Sequence, residues 1–188
     1  YLPTIVYTNR IKEAYKGVPV IIGGIEASLR RAAHYDYYTD KVRPSILLDS
    51  KADLLVYGNG ELPLKEIVSR LRGGSTIAEI KDVHGTAVPV KGNEKKSLDF
   101  SRVVALPSFE EVSVGRVAFN EMTQKLMANL NPYSAAPLFQ ETGTRGVLIN
   151  PPSRPLSTEE MDNIYGLPFT RRPHPRYKSH IPAIRVVE

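Results

Sequence analysis

The sequence predicts an α/β protein built around an open parallel sheet. Three observations predict it. Residues 18–22 and 54–57 are short apolar runs, the pattern of strands buried on both faces. Each run closes on glycine, at Gly23-Gly24 and at Gly58-Asn59-Gly60. A helix-compatible segment follows each turn, over 26–33 and 61–72. In open α/β sheets ligands lie outside the carboxyl ends of the strands, and glycine there lets a ligand approach the backbone.

Residues 8–17 read as a short helix that Thr8 or Asn9 caps and Gly17 ends. The strand 18–22 follows at once. The segment 26–33 carries Glu26 in its first turn and Arg30-Arg31 near its far end, as the helix dipole favours. Residues 34–41 hold three of the ten tyrosines and follow neither the helix nor the strand period. They are expected as a loop over the sheet edge. Residues 42–48 are apolar enough for a further helix or buried segment. Over 61–72, Leu62, Leu64, Ile67, Val68 and Leu71 recur at helical spacing, with Pro63 early and Gly73-Gly74 as the stop. Residues 76–80 read as a short helical piece and 85–90 as a strand.

The charged segment 91–97 contains Gly92-Asn93 and is the expected boundary. The division is therefore 1–91, a linker at 92–100, and a smaller α+β connecting region at 101–188. In that last region 103–106 is a short apolar run. A long helix is expected from Ser108 to Asn131-Pro132, and a strand at 146–149. Ser157-Thr158-Glu159-Glu160 is a capping box opening a helix to about Tyr165. From Gly166 an arm rich in Pro and Arg leads to the apolar run 184–187, read as the start of another strand. The arm is expected to pack on a larger body.

The chain has 188 residues, a formal net charge of +5 and no cysteine. This length supports one large domain or two small ones. No apolar run approaches a membrane span and no signal pattern opens the chain, so a soluble, cytoplasmic protein without a membrane partner is expected. The chain opens on Tyr1 and is read as a piece of a longer polypeptide. Without cysteine this stretch forms no disulfide, thiolate nucleophile or Cys-ligated cluster. The basic pairs Arg30-Arg31, Lys95-Lys96 and Arg171-Arg172 are scattered, which reads as solvated surface, and no nucleic-acid partner is expected.

Several residues are candidates for chemistry. Gly23, Gly24 and Glu26, with Ser28, are candidates for holding a cofactor, as are Gly58, Gly60 and Glu61. The alternative is that the glycines serve turn geometry alone and Glu61 a helix start. Gly58–Glu61 lacks the Lys-Ser/Thr ending of a phosphate-binding loop, and its glycines are not spaced as in the dinucleotide fingerprint. Arg30, Arg31, His34, Tyr37 and Tyr38 are candidates for contact with a substrate or partner. Tyrosine faces suit rings, and guanidinium groups suit phosphate or carboxylate. Sealing of the sheet edge is the alternative for the tyrosines. His34, Asp36 and Asp40 share one polar loop but do not amount to a metal site, and His174 and His180 read as surface or packing residues. No catalytic constellation assembles.

The ordered motifs carry a further signal. Ile21-Ile22-Gly23-Gly24-Ile25-Glu26-Ala27-Ser28-Leu29-Arg30-Arg31 is followed by Ala33-His34-Tyr35-Asp36-Tyr37. Then come Leu48-Asp49-Ser50-Lys51-Ala52-Asp53-Leu54-Leu55 and Gly58-Asn59-Gly60-Glu61, and later Leu106-Pro107-Ser108-Phe109, Asn150-Pro151-Pro152, Pro155-Leu156-Ser157-Thr158-Glu159-Glu160-Met161-Asp162 and Pro173-His174-Pro175. Together they resemble the N-terminal region of YgiQ-type radical SAM proteins, over nearly the whole chain. The resemblance implies a partial Rossmann-like sheet of the cobalamin-binding type in 1–91, although Asn59 stands where such domains usually have an acid. It implies a parent with a four-iron–four-sulfur cluster that cleaves S-adenosylmethionine, on a C-terminal radical SAM barrel whose Cys-x-x-x-Cys-x-x-Cys motif is not in this sequence. The residues present would be a non-catalytic accessory part with no cofactor of its own, partnered by that barrel. The case for cobalamin is weak, because the Asp-x-His-x-x-Gly loop is also not in this sequence. Two other readings stand beside this one: a stand-alone nucleotide-binding α/β module and an RNA-binding appendage.

Overall fold

A computed structural model describes residues 3–170, 172–179 and 181–182. The chain divides into two compact units, residues 1–155 and 156–188. The first is an α/β unit with a six-stranded mixed sheet, consistent with a partial Rossmann-like fold.

Helix α1 (Pro3–Ala14) leads into strand β1 (Ile21–Ile22) and helix α2 (Gly24–Leu29). Strands β2 (His34–Asp36) and β3 (Lys41–Arg43) form a separate antiparallel hairpin. Helix α3 (Ile46–Ser50), strand β4 (Leu54–Val56), helix α4 (Glu61–Arg72) and strand β5 (Thr86–Val90) follow. Strand β6 (Val104–Ala105) precedes helices α5 (Phe109–Val114) and α6 (Arg116–Ala128), and the unit closes on the hairpin of β7 (Leu138–Thr142) and β8 (Arg145–Ile149). The sheet order is β1-β4-β5-β8-β7-β6. The outer pairs β1/β4 and β6/β7 are parallel; the inner three are antiparallel.

Alternation along the strands sends side chains to two separate cores. Ile22, Leu55, Ala87, Leu138, Val147 and Ile149 pack on one face with Ala27 of α2, Leu47 of α3, Val112 of α5 and Met122 of α6. Leu54, Val56, Val88, Phe139 and Leu148 pack on the other with Ile67 of α4, Ile80 and Val83. Burial on both faces explains why β4 reads as an unbroken apolar run.

Four expectations change. The first helix begins at Pro3, whose fixed φ suits a helix start, and Thr8 lies buried within it rather than capping it. The segment 34–41 is not a loop: its ends pair as β2 and β3, and the tyrosine-rich centre is the turn between them. The long helix is two, because Gly115 takes an extended conformation that ends α5 and starts α6. Strand β7 was not expected, since its centre is the polar pair Gln140-Glu141. Gln140 is nevertheless buried: its Oε1 accepts from the Ala33 N–H at 2.7 Å, and its Nε2 donates to Pro107 O at 3.1 Å.

In the second unit α7 (Thr158–Tyr165) opens on the expected capping box: the Ser157 hydroxyl accepts from the Glu160 N–H, and the Glu160 carboxylate accepts from the Ser157 N–H at 2.8 Å. The described residues after it carry turns and extended chain. Arg171, His180 and the run 184–187 lie outside the described residues.

Candidate functional site

The register of β1 and β4 builds the site. Ile21 lies opposite Leu54 and Ile22 opposite Leu55, in parallel, so the two glycine turns leave the sheet side by side. Gly24 has φ +85° and Gly58 φ +68°, conformations that L side chains rarely adopt. A Cβ at either would meet nothing within 4 Å, so the turns border open space. Gly23 lies against β4: a Cβ there would be 3.4 Å from Val56 O. Ser28 ties the turns together. Its hydroxyl donates to Gly24 O at 2.8 Å and accepts from the Gly58 N–H at 3.1 Å. Gly60 stands at the start of α4 without a side-chain cap, and Glu61 is exposed in the first turn.

The two adjacent arginines behave differently. Arg30 is engaged: its Nη1 donates to Glu26 at 3.1 Å, and its Nη2 lies 4.0 Å from Asp36 Oδ1. Glu26 also accepts from the Thr4 hydroxyl, so its carboxylate faces α1 and Arg30. Arg31 turns the other way. Its Nη1 donates to Ser28 O at 2.6 Å, and its guanidinium carbon lies 4.8 Å from the centroid of the Tyr57 ring. Its Nε is enclosed and has no hydrogen-bond partner. Burial lowers the Arg31 pKa, against the pull of Tyr57. The Tyr57 ring is buried at the end of β4, its hydroxyl donates to Asn150 O, and burial raises its pKa.

The hairpin holds the other candidates. His34 Nδ1 lies 3.3 Å from Ala32 O, its Nε2 is enclosed without a partner, and burial lowers its pKa, which favours the neutral ring. Opposite His34 on β3, Arg43 clasps Asp49 with Nη2 at 2.8 Å and Nε at 3.1 Å. Asp36 is buried. The Thr39 hydroxyl donates to its Oδ2 at 2.7 Å and holds its pKa below the usual carboxylate range, while Oδ1 has no hydrogen-bond partner. Tyr37 and Tyr38 are 68% and 72% exposed with ring centroids 4.2 Å apart, so neither seals the core.

The structure thus joins Gly24, Ser28, Arg31 and Gly58 in one hydrogen-bonded chain and sets Gly23 against Val56. It sets Glu26 and Arg30 together beside Asp36. Tyr57 as the platform beneath Arg31 was not anticipated; its signal was its place at the carboxyl end of a strand. Among the described residues, the enclosed side-chain polar atoms without partners are Arg31 Nε, His34 Nε2 and Asp36 Oδ1, all within 31–36. A cleft of about 520 Å³ lies at the opposite, amino end of β1 and β4, where Lys12 and Asp53 pair at 2.8 Å. Its charges satisfy each other.

An iron–sulfur cluster does not fit these residues. The sequence supplies no thiolate. Among the described residues no group of three His, Cys, Asp or Glu side chains could hold a metal ion.

The sequence model of the radical SAM N-terminal family matches residues 2–188. The chain belongs to that family. It is 53% identical to a UPF0313 protein of Geobacter sulfurreducens over 180 residues, which cover 96% of this chain and 29% of that protein. It is 48% identical to a UPF0313 protein of Methanocella arvoryzae, covering 97% of this chain and 30% of that protein. The UPF0313 protein YgiQ of Escherichia coli K12 is 42% identical, covering 98% of this chain and 32% of that protein. The resemblance read from the ordered motifs is borne out. The chain spans about three-tenths of the length of these curated relatives. No solved structure matches it. Among the described residues no helix is long and apolar enough to cross a membrane.

Proposed function

We propose that this chain is the N-terminal accessory part of a radical SAM enzyme and performs no radical chemistry itself. The observation that carries the reading is the family match over residues 2–188 in a sequence without cysteine. The four-iron–four-sulfur cluster and S-adenosylmethionine then belong to the rest of the polypeptide, whose relatives are about three times as long. The glycine turns and the tyrosine turn are the face that this part offers to the ligand and to the barrel. The exposed Tyr37–Tyr38 pair and the open space beside Gly24 and Gly58 support that assignment. A small and permissive turn surface suits a binding role, because no side chain at Gly24 or Gly58 blocks approach to the backbone.

Hydrogen exchange tests the assignment. Amides of 35–38 and 58–61 should exchange more slowly in the full-length protein than in residues 1–188 alone. Equal exchange in the two would remove the face from the account.

A further inference from the structure

The hairpin of β2 and β3 and the elbow between α5 and α6 line an open cleft of about 460 Å³. Gly115 makes the elbow, since its extended backbone ends α5 and starts α6. Val112 lines the cleft and is buried, which holds α5 against the core. Val42 and Phe119 line it and are half-buried. Val114 and Tyr35 also line it, and they are 89% and 53% exposed. Val117, one residue after the lining Arg116, is 81% exposed. Single apolar residues scattered over a surface are ordinary, but apolar residues that share one cleft mark an interaction site. Arg116 is the only charged residue among those that line it.

We propose that this cleft is the docking groove for the remainder of the polypeptide, which fills it with an apolar segment carrying a carboxylate for Arg116. Three observations choose this occupant. The chain covers 29% and 30% of two curated relatives, so most of such a polypeptide lies outside it. A segment tethered by a short flexible linker meets the groove at an effective concentration of about millimolar, an advantage that a second copy lacks. The cleft also adjoins the tyrosine turn, because Tyr35 lines it from the strand that runs into Tyr37-Tyr38. The lining sets the chemistry of the segment. Val42, Val112, Val114 and Phe119 offer no side-chain hydrogen bond, so they reward apolar burial, and Arg116 rewards a carboxylate. The inference rests on the reading of this chain as an accessory part of a longer polypeptide. Exchange at 35–38 and 58–61 tests that reading, and the cleft is tested separately.

The test places photoreactive benzoylphenylalanine at Val117 of the full-length protein and maps the cross-linked peptides by mass spectrometry. Mixed light and heavy-isotope copies separate products within one polypeptide from products between two. The expected product joins this position to a segment of the same polypeptide outside residues 1–188. Val114→Asp should remove most of that product, because its carboxylate breaks the apolar lining and competes for Arg116. Val114 is 89% exposed, so this variant should keep the circular dichroism of the wild type. Arg116→Glu should lower the yield, and Arg116→Lys less, because it keeps the charge. A product between two polypeptides would assign the cleft to a second copy and overturn the inference. Products confined to residues 1–188, no product, or a yield indifferent to Val114→Asp would overturn it too. Slow exchange at 35–38 and 58–61 beside any of these results would leave the accessory reading standing without the groove.

Discussion

Gln140→Leu probes how the site is held. The side chain of Gln140 crosses from β7 to the segment just after Arg31, accepting from the Ala33 N–H at 2.7 Å and donating to Pro107 O at 3.1 Å. Leucine has nearly the same volume but no polar atoms. Ala33 is 4% exposed, so its N–H would be stranded away from water at about 1–3 kcal/mol. Pro107 is half-buried, and water can replace its lost bond at about 0–1 kcal/mol. The added apolar surface returns about 1 kcal/mol. The net loss is then about 0–3 kcal/mol, read as a lower urea midpoint at unchanged slope by circular dichroism. Gln140→Glu separates the two bonds, since glutamate keeps the acceptor for Ala33. Burial would raise its pKa, so the folded state binds the proton more tightly than the unfolded state. Its deficit should therefore be smallest in acid and grow as pH rises past about 4.3. A Gln140→Leu protein more stable than wild type would refute the claim that this link holds residues 31–36 against the sheet.

Other outcomes follow from single contacts. Gly146→Ala would place a Cβ 2.4 Å from the Phe139 ring and should destabilise by about 1–3 kcal/mol in the same assay, and a neutral result would contradict the close approach. Tyr37→Ala and Tyr38→Ala in the full-length protein should reduce S-adenosylmethionine cleavage without changing the melting temperature, with Phe variants close to wild type; loss of stability in the Ala variants with silent Phe variants would make these residues packing. Stability should fall on acidification in two stages. His34 has a lowered folded pKa, so the unfolded state takes its proton first and stability declines as pH drops past about 6.5. Asp36, Glu79 and Glu111 also have lowered values, mainly from hydrogen bonds to Thr39, Thr76 and Ser108, and their contribution is lost below about pH 4. Unfolding midpoints that rise between pH 7 and 5 would contradict the His34 assignment.

Much of this architecture was legible because local rules and tertiary packing agree. Helix α4 begins at Glu61 and ends at Arg72 where the apolar spacing and the Gly73-Gly74 stop place it. The pairing of β1 with β4 follows from two Gly-terminated apolar runs. Two strand elements failed, for different reasons. The strand β7 hides behind Gln140, whose polarity is satisfied by Ala33, 107 residues earlier in the chain. The hairpin at 34–43 hides because its strands have three residues each, too short for alternation to register. At the site, the glycines and Arg31 were visible as residue types. The distinction between Arg30 and Arg31 was not, since it depends on which way each side chain leaves α2.

Anaerobic iron–sulfur reconstitution, followed by an assay for S-adenosylmethionine cleavage, tests the accessory role most directly. It should be run in parallel on residues 1–188 and on the full-length protein. The account predicts cluster absorbance and cleavage in the full-length protein and neither in residues 1–188, which supply no thiolate. A cluster and cleavage activity in residues 1–188 alone, or neither in the full-length protein, would contradict it.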